Sequence, residues 1–262
     1  MQVTASTDYL LHLADNALVL GQRNAEWCGH GPILEEDIAM SNISLDLIGQ
    51  ARLLYQHVAT LKNDGSTEDR LAYFRDAAEF RNYTLVELPH HGPLVGYAID
   101  NRDYATTIVR NFLYSALMAL VWEQLQHAHD TQLAAIASKS LKEVRYHLRH
   151  ARDWLIRMGD GTDLSQRKAQ DALDHLMPYT QEFWRASDFE TQAVQNSCGV
   201  DMTALQQNWM TLLQEATTEA CLDLPSDAGF VTTGKQGVHS EHLSFLLAEM
   251  QSLARAHPQG VW

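Results

Sequence analysis

Along four long stretches of this chain, apolar residues return at every third or fourth position, the repeat of a helix that buries one face. The first runs from about Thr7 to Ala25, with Ser6, Thr7 and Asp8 as capping residues, and stops at Gly29, Gly31 and Pro32 in EWCGHGP. The second, about Leu34 to Leu61, sets Met40, Ile43, Leu47, Ala51, Leu54, Val58 and Leu61 on one stripe. The third, about Asp103 to His129, turns Val109, Phe112, Leu113, Ala116, Leu117, Leu120 and Val121 inward. In the fourth, about Gln132 to Met158, Ala137, Leu141, Val144, Leu148, Ala151, Leu155 and Met158 alternate steps of four and three, the seam of helices packed nearly antiparallel. Nowhere do Val, Ile and Thr alternate over a strand-length run between turn signals, so the chain is expected to be all-α.

The connections predict a topology. Short turns join the first helix to the second and the third to the fourth, making two hairpins. The residues between the hairpins are enough to cross the length of a bundle and include a shorter helical stretch, TEDRLAYFRDAAEFRN. Two hairpins joined by one long crossover is the ferritin-like four-helix bundle. Further helices are expected at about Leu164 to Arg185, Met202 to Cys221 and His239 to Ala256, packed outside the bundle, with LDLPSDAGFVTTGKQG as a loop. No composition shift marks a boundary. A single domain over residues 1–262 is expected, with its core bundle at about 5–160 and peripheral helices at about 163–256.

A bundle of this kind that binds two metal ions presents one carboxylate on each of two helices and a Glu-x-x-His on each of the other two. Two residues three apart point at one site because the step turns them by only about 60° on the helix wheel. On the second helix the pair reads Asp46-Leu47-Ile48-Gly49, with glycine in the histidine slot. On the fourth, Glu143-Val144-Arg145-Tyr146 keeps the carboxylate and has tyrosine for histidine. Shifted by one, Val144-Arg145-Tyr146-His147 keeps the histidine and loses the carboxylate. The first helix offers Asp15 and Asn16 and the third Arg110 and Asn111, and an arginine in a ligand slot repels a dication. Too few usable ligands remain for a di-iron centre. The expectation is a metal-free polar core in which Arg110 neutralises Asp46 and Glu143, beside Tyr146 and His147.

Composition narrows the remaining options. A formal charge of −14 excludes binding to nucleic acid through phosphate neutralisation. No apolar run is read as long enough to span a bilayer, and the start MQVTASTDYLLHLADNALVL lacks the features of a signal peptide, so a cytoplasmic protein is expected. Cys28, Cys198 and Cys221 are odd in number and far apart, which fits a reducing compartment. His147 and His150 share a helix face but fall short of the three or four ligands of a mononuclear site. Cys28 and His30 lie in a helix-ending turn, and His127 and His129 point to different sides. His90, His91, His239 and His242 adjoin loops and are expected at the surface. No nucleophile elbow, P-loop or Gly-x-Gly-x-x-Gly occurs.

Several segments together resemble one known family. EWCGHGPILEEDIAMSNISLDLIGQARLLYQHVA, AAEFRN, KEVRYHLRHARDWLIRMGDGT and GVHSEHLSFLLAEMQSLARAHPQGVW are similar to the C-subunit family of bacterial phenylacetyl-CoA epoxidase. The resemblance implies a ferritin-like structural subunit of a multicomponent monooxygenase in aerobic phenylacetate breakdown, with no cofactor of its own. It implies a catalytic A subunit holding the di-iron centre, a small B subunit, and a separate reductase that draws electrons from NADPH. No catalytic residue carries over to this chain. An interface with the A subunit is expected on helices two and three and around EWCGHGP. The competing readings are a di-metal oxygenase with atypical ligands and a binding module for another partner.

Overall fold

A computed structural model describes residues 3–93, 101–226 and 229–260. Two parts of the expected topology fall partly outside them: residues 94–100 of the crossover and residues 227–228 of the late loop. Ten α-helices are present among the described residues, with no strand beyond an isolated antiparallel bridge between Thr233 and Val238. The chain forms two compact units, Met1–Leu88 with Thr232–Trp262, and Pro89–Val231.

The first unit is built on a hairpin of α1 (Thr7–Ala25) and α2 (Leu34–Lys62). Ser6 caps α1 by accepting from the Tyr9 N–H, and the left-handed Asn63 ends α2. Six residues of the expected stripe of α2, Met40, Ile43, Leu47, Ala51, Leu54 and Val58, are enclosed, and Leu61 at its end is half-buried. Beyond the hairpin come α3 (Glu68–Tyr73), a 3-10 turn at Ala77–Glu79 and α4 (Thr84–Glu87). The stretch expected as a single short helix is thus broken, because Arg75 turns inward after α3 and Asp76 opens a new capping box with Glu79. The last helix, α10 (Glu241–Ala256), packs on α3, α4 and α1. Its Gln251 donates to the carbonyls of Ala72 and Arg75 at 3.2 and 3.0 Å.

The second unit holds α5 (Tyr104–Leu125) and α6 (Thr131–Gly159) as its hairpin, then α7 (Asp163–Leu176), α8 (Asp188–Gln195) and α9 (Met202–Glu219). Residues Met177–Trp184, expected to continue α7, form a 3-10 stretch with Pro178 at its start, and α8 is an addition to the expected elements. Helices α6, α7 and α9 all pack on α5. With neighbours on several sides, α5 buries nearly its whole circumference, including Thr106, Thr107, Arg110, Asn111 and Ser115. This corrects the expectation that no segment is apolar enough to span a bilayer: by length and composition alone α5 qualifies. An apolar helix enclosed by its neighbours has the same composition, and 89% of this one's most apolar window is buried. Trp209 of α9 donates its indole N–H to the Leu113 carbonyl at 3.1 Å and stacks edge-on with Phe183 and Trp184.

Candidate functional site

A carboxylate at the inward middle of a helix needs donors and a counter-charge. Asp15, at the inward middle of α1, is fully enclosed. Its Oδ1 accepts from the Tyr55 hydroxyl of α2 at 2.6 Å and from Arg75 Nη2, and its Oδ2 from Arg75 Nη1 at 3.1 Å and the Arg81 N–H at 2.7 Å. Four donors on two oxygens satisfy the carboxylate, and the guanidinium supplies the counter-charge that burial requires. Arg75 is itself fixed: Nε donates to the Leu71 carbonyl at 2.5 Å, Nη1 to Glu79 at 3.0 Å, and the group lies 4.2 Å from the Phe80 ring centroid. Burial alone would make this arginine easier to deprotonate, but the negative charge of Asp15 beside it reverses that and holds it more firmly protonated. Burial, and then Asp15, push the Tyr55 phenol well above its ordinary value. Both shifts favour a protonated arginine beside a neutral phenol.

Asn16, the next residue, continues the same work. Its Oδ1 accepts from the Tyr83 N–H at 2.9 Å, while His12, one turn earlier, bonds the Arg81 carbonyl at 2.6 Å. Three side chains of α1 thus hold the irregular stretch between the 3-10 turn and α4. A second buried carboxylate closes that stretch. Glu87 accepts from Asn82 Nδ2 at 2.9 Å, His239 Nδ1 at 2.8 Å and the Ser240 N–H at 2.6 Å. The other ring nitrogen of His239 faces the Phe80 carbonyl at 3.1 Å. Each ring nitrogen thus meets an oxygen, one in a carboxyl group and one in a peptide carbonyl. His239, expected at the surface, has a side chain only 4% exposed because these contacts draw it in.

The five residues expected to form the polar core fall in both units, Asp46 in the first and Arg110, Glu143, Tyr146 and His147 in the second. Asp46 is half-buried beside the inward stripe of α2. Arg110 is fully buried on α5, its Nη2 3.1 Å from Nδ1 of His90, which also lies 2.6 Å from the Thr107 hydroxyl. A guanidinium only donates, so that imidazole nitrogen accepts. His90 is another histidine expected at the surface and found buried, at 3% exposure. On α6 the enclosed stripe runs Ser140, Val144, His147, Ala151 and Leu155. Of the two frames for a ligand pair, burial selects Val144 to His147, the one without a carboxylate. Glu143 is half-buried and its carboxylate pairs with Lys139 one turn back at 3.4 Å. Tyr146 does not belong to a core: it is 42% exposed, with its ring beside His147, His150 and Arg149. One residue of phase, about 100° of helix, separates both from the stripe.

These residues do not fit a di-metal centre. Asp15 is saturated, Gly49 has no donor, Tyr146 turns outward, and an arginine occupies the ligand position of α5. Among the described residues no three His, Cys, Asp or Glu side chains gather as a metal ion requires. Cys28, His30, His127 and His129 are exposed or half-exposed. Arg75 is the residue that sequence reasoning misses. It lies 60 positions from Asp15, and the one available signal is that an inward carboxylate on α1 demands a cation.

The model of the family described as "Phenylacetic acid catabolic protein" matches residues 1–262. The chain is 42% identical over 256 residues, 98% of each chain, to the C subunit of the 1,2-phenylacetyl-CoA epoxidase of Escherichia coli (strain K12). This all-α chain belongs to the phenylacetic acid catabolic protein family.

Proposed function

We propose that this chain is a non-catalytic structural subunit of a phenylacetyl-CoA epoxidase of the bacterial cytoplasm, stabilising the catalytic A subunit that holds the di-iron centre. The observation that carries this reading is the Asp15–Arg75 pair: where a metal-binding relative would offer a free carboxylate, this bundle has closed it with a guanidinium, a phenol and a backbone amide. The similarity to a protein named as one subunit of an epoxidase supports the place in an assembly. The resemblance of its segments supports the partners: the A subunit, a small B subunit, and a reductase supplied by NADPH. On this reading the chain contributes surface and rigidity to the complex, and the chemistry of the ring belongs to the A subunit.

Metal analysis of the purified chain, followed by titration with the purified A subunit, tests it. The expected result is iron well below one atom per chain, and a stable complex of the two proteins. Iron bound stoichiometrically by the isolated chain, with oxygenase activity on phenylacetyl-CoA in the absence of the A subunit, would refute it.

A further inference from the structure

Residues 232–256 return to the first unit after Pro89–Val231 has formed the second, and they lie across it as a strap. At its start the strap runs backbone against backbone. A Cβ added at Gly234 would stand 2.5 Å from the Asn82 carbonyl oxygen, and one at Gly237, held at φ 84°, would strike the Ala78 carbonyl. The next turn is tied by Glu87, which accepts from the Ser240 N–H and faces His239, and by Arg23, whose Nη2 donates to the His242 carbonyl at 3.1 Å. Along α10 the ties continue. Besides the two bonds of Gln251, Arg255 donates through Nη2 to the Arg75 carbonyl at 2.9 Å and to Asp76 at 3.0 Å.

These ties differ in kind from those inside the α1–α2 hairpin. Of the nineteen residues of α1 fourteen are buried, whereas of the sixteen of α10 only Leu243, Leu246, Leu247 and Gln251 are. Grooves of about 250 and 770 Å³ flank α10 on two of its faces, the first between Ser244 and Ala77, the second between Leu253 and Tyr73. The polar ties run to backbone carbonyls and a carboxylate, groups that water can take over when a segment lifts. Segments with few buried apolar contacts open on their own, at less free energy than unfolding the whole. The stretch beneath is held otherwise. Arg81 and Tyr83 are bonded to Asp15, Asn16 and His12 of α1, and none of those bonds involves the strap.

We infer that residues 232–256 form a clasp that opens as one piece while α1, α2 and the stretch beneath stay folded. Opening lifts His239 and the Ser240 amide from Glu87, and Gln251 and Arg255 from the carbonyls of Ala72 and Arg75. It uncovers the Glu87 carboxylate, the Arg23 guanidinium and that row of carbonyls together. The chain thereby has a second form, whose surface the closed one hides. The clasp is a property of the first unit alone and holds whether or not the proposed function does.

Hydrogen exchange on the intact chain tests it in three proteins. They are wild type, Gly234→Ala, which sets a methyl against the Asn82 carbonyl, and Gln251→Leu, which removes two donors of α10 and keeps the bulk. In wild type the amides of Ser240, Leu246 and Leu247 should exchange at least about tenfold faster, relative to their unprotected rates, than those of Arg81 and Tyr83. Gly234→Ala should speed all three by at least about tenfold, as overpacking against backbone does, and Gln251→Leu by about fivefold. Arg81 and Tyr83 should stay within about twofold of wild type in both variants. Strap amides that exchange no faster than Arg81 and Tyr83 in wild type would show that the unit opens only as a whole and overturn the clasp. A Gln251→Leu chain that exchanges faster in α10 but not at Ser240 would overturn it too, since the strap would then fray from its end. If Gly234→Ala loses protection throughout, the variant is misfolded, and the wild-type and Gln251→Leu rates decide.

Discussion

Replacing Arg75 by methionine removes the cation of the buried cluster while keeping an unbranched apolar stem against Phe80 and Tyr55. Asp15 then loses two of its four donors and its counter-charge, retaining the Tyr55 hydroxyl and the Arg81 amide. The carbonyls of Leu71 and Glu79 lose their guanidinium donors as well. Breaking a buried ion pair from one side costs about 3–5 kcal/mol, because the remaining charge stays enclosed. Against a total stability of about 5–15 kcal/mol, that is a large share of what holds the fold. The double variant Asp15→Leu/Arg75→Met removes the stranded charge but leaves the Arg81 amide and the Tyr55 hydroxyl without their acceptor, at about 1–3 kcal/mol each. Because the stranded charge is gone, the double variant should lose less than the sum of the two single variants, with a coupling energy of about 2–3 kcal/mol in the cycle. Urea denaturation followed by far-UV circular dichroism, on wild type, both single variants and the double, measures this directly. A loss below about 1 kcal/mol for Arg75→Met, in the range of an exposed pair, would refute the claim that Arg75 neutralises Asp15.

Burial, and for Tyr55 the neighbouring Asp15 as well, raises the pKa of Tyr55 and Tyr114. Their stabilising contribution is therefore complete below the unfolded value near pH 10 and is lost above it at up to about 1.4 kcal/mol per pH unit each. Urea midpoints between about pH 9 and 11 should fall accordingly, and Tyr114→Phe should lessen the slope; a flat profile would contradict it. At the end of α6, a Cβ on Gly159 would lie 2.0 Å from the Ala220 carbonyl oxygen, a backbone obstacle. Gly159→Ala should cost about 3 kcal/mol in a thermal or urea melt, at the upper end for overpacking, where Gly49→Ala gains up to about 1 kcal/mol. Cys221 closes α9 in the left-handed region at φ 55°, with the Leu222 amide bonded back to the Thr217 carbonyl. Glycine is the residue suited to that position, so Cys221→Gly should stabilise by about 0.5–1 kcal/mol, read as a raised urea midpoint.

Periodicity reveals the long helices because each has one buried stripe and a chemical stop: Ser6 before α1, the glycines and proline after it, Asn63 after α2. It marks only part of what α5 buries, since the neighbours also enclose polar residues such as Thr106, Thr107, Arg110 and Ser115. The signal for α8 is short but present, since Ser187 and Glu190 spell a capping box that the structure forms. The site is less legible for a physical reason. A stripe of apolar residues fixes helix phase to within about one residue, and one residue is the whole difference between Glu143 at the flank and Val144 in the core. Arg75 is hidden more deeply. It sits among the charged residues of a short surface-like segment, and its partner is a side chain that folding, not spacing, brings to it.

The stretch that Asp15 and Asn16 hold has a consequence for motion. The amides of Arg81 and Tyr83 lie outside any helix, yet they donate to buried side chains of α1. Their deuterium uptake is therefore tied to the opening of the α1–α2 hairpin itself. A segment without regular structure should exchange as slowly as the helices around it, and Asp15→Asn should speed Arg81 more than its neighbours.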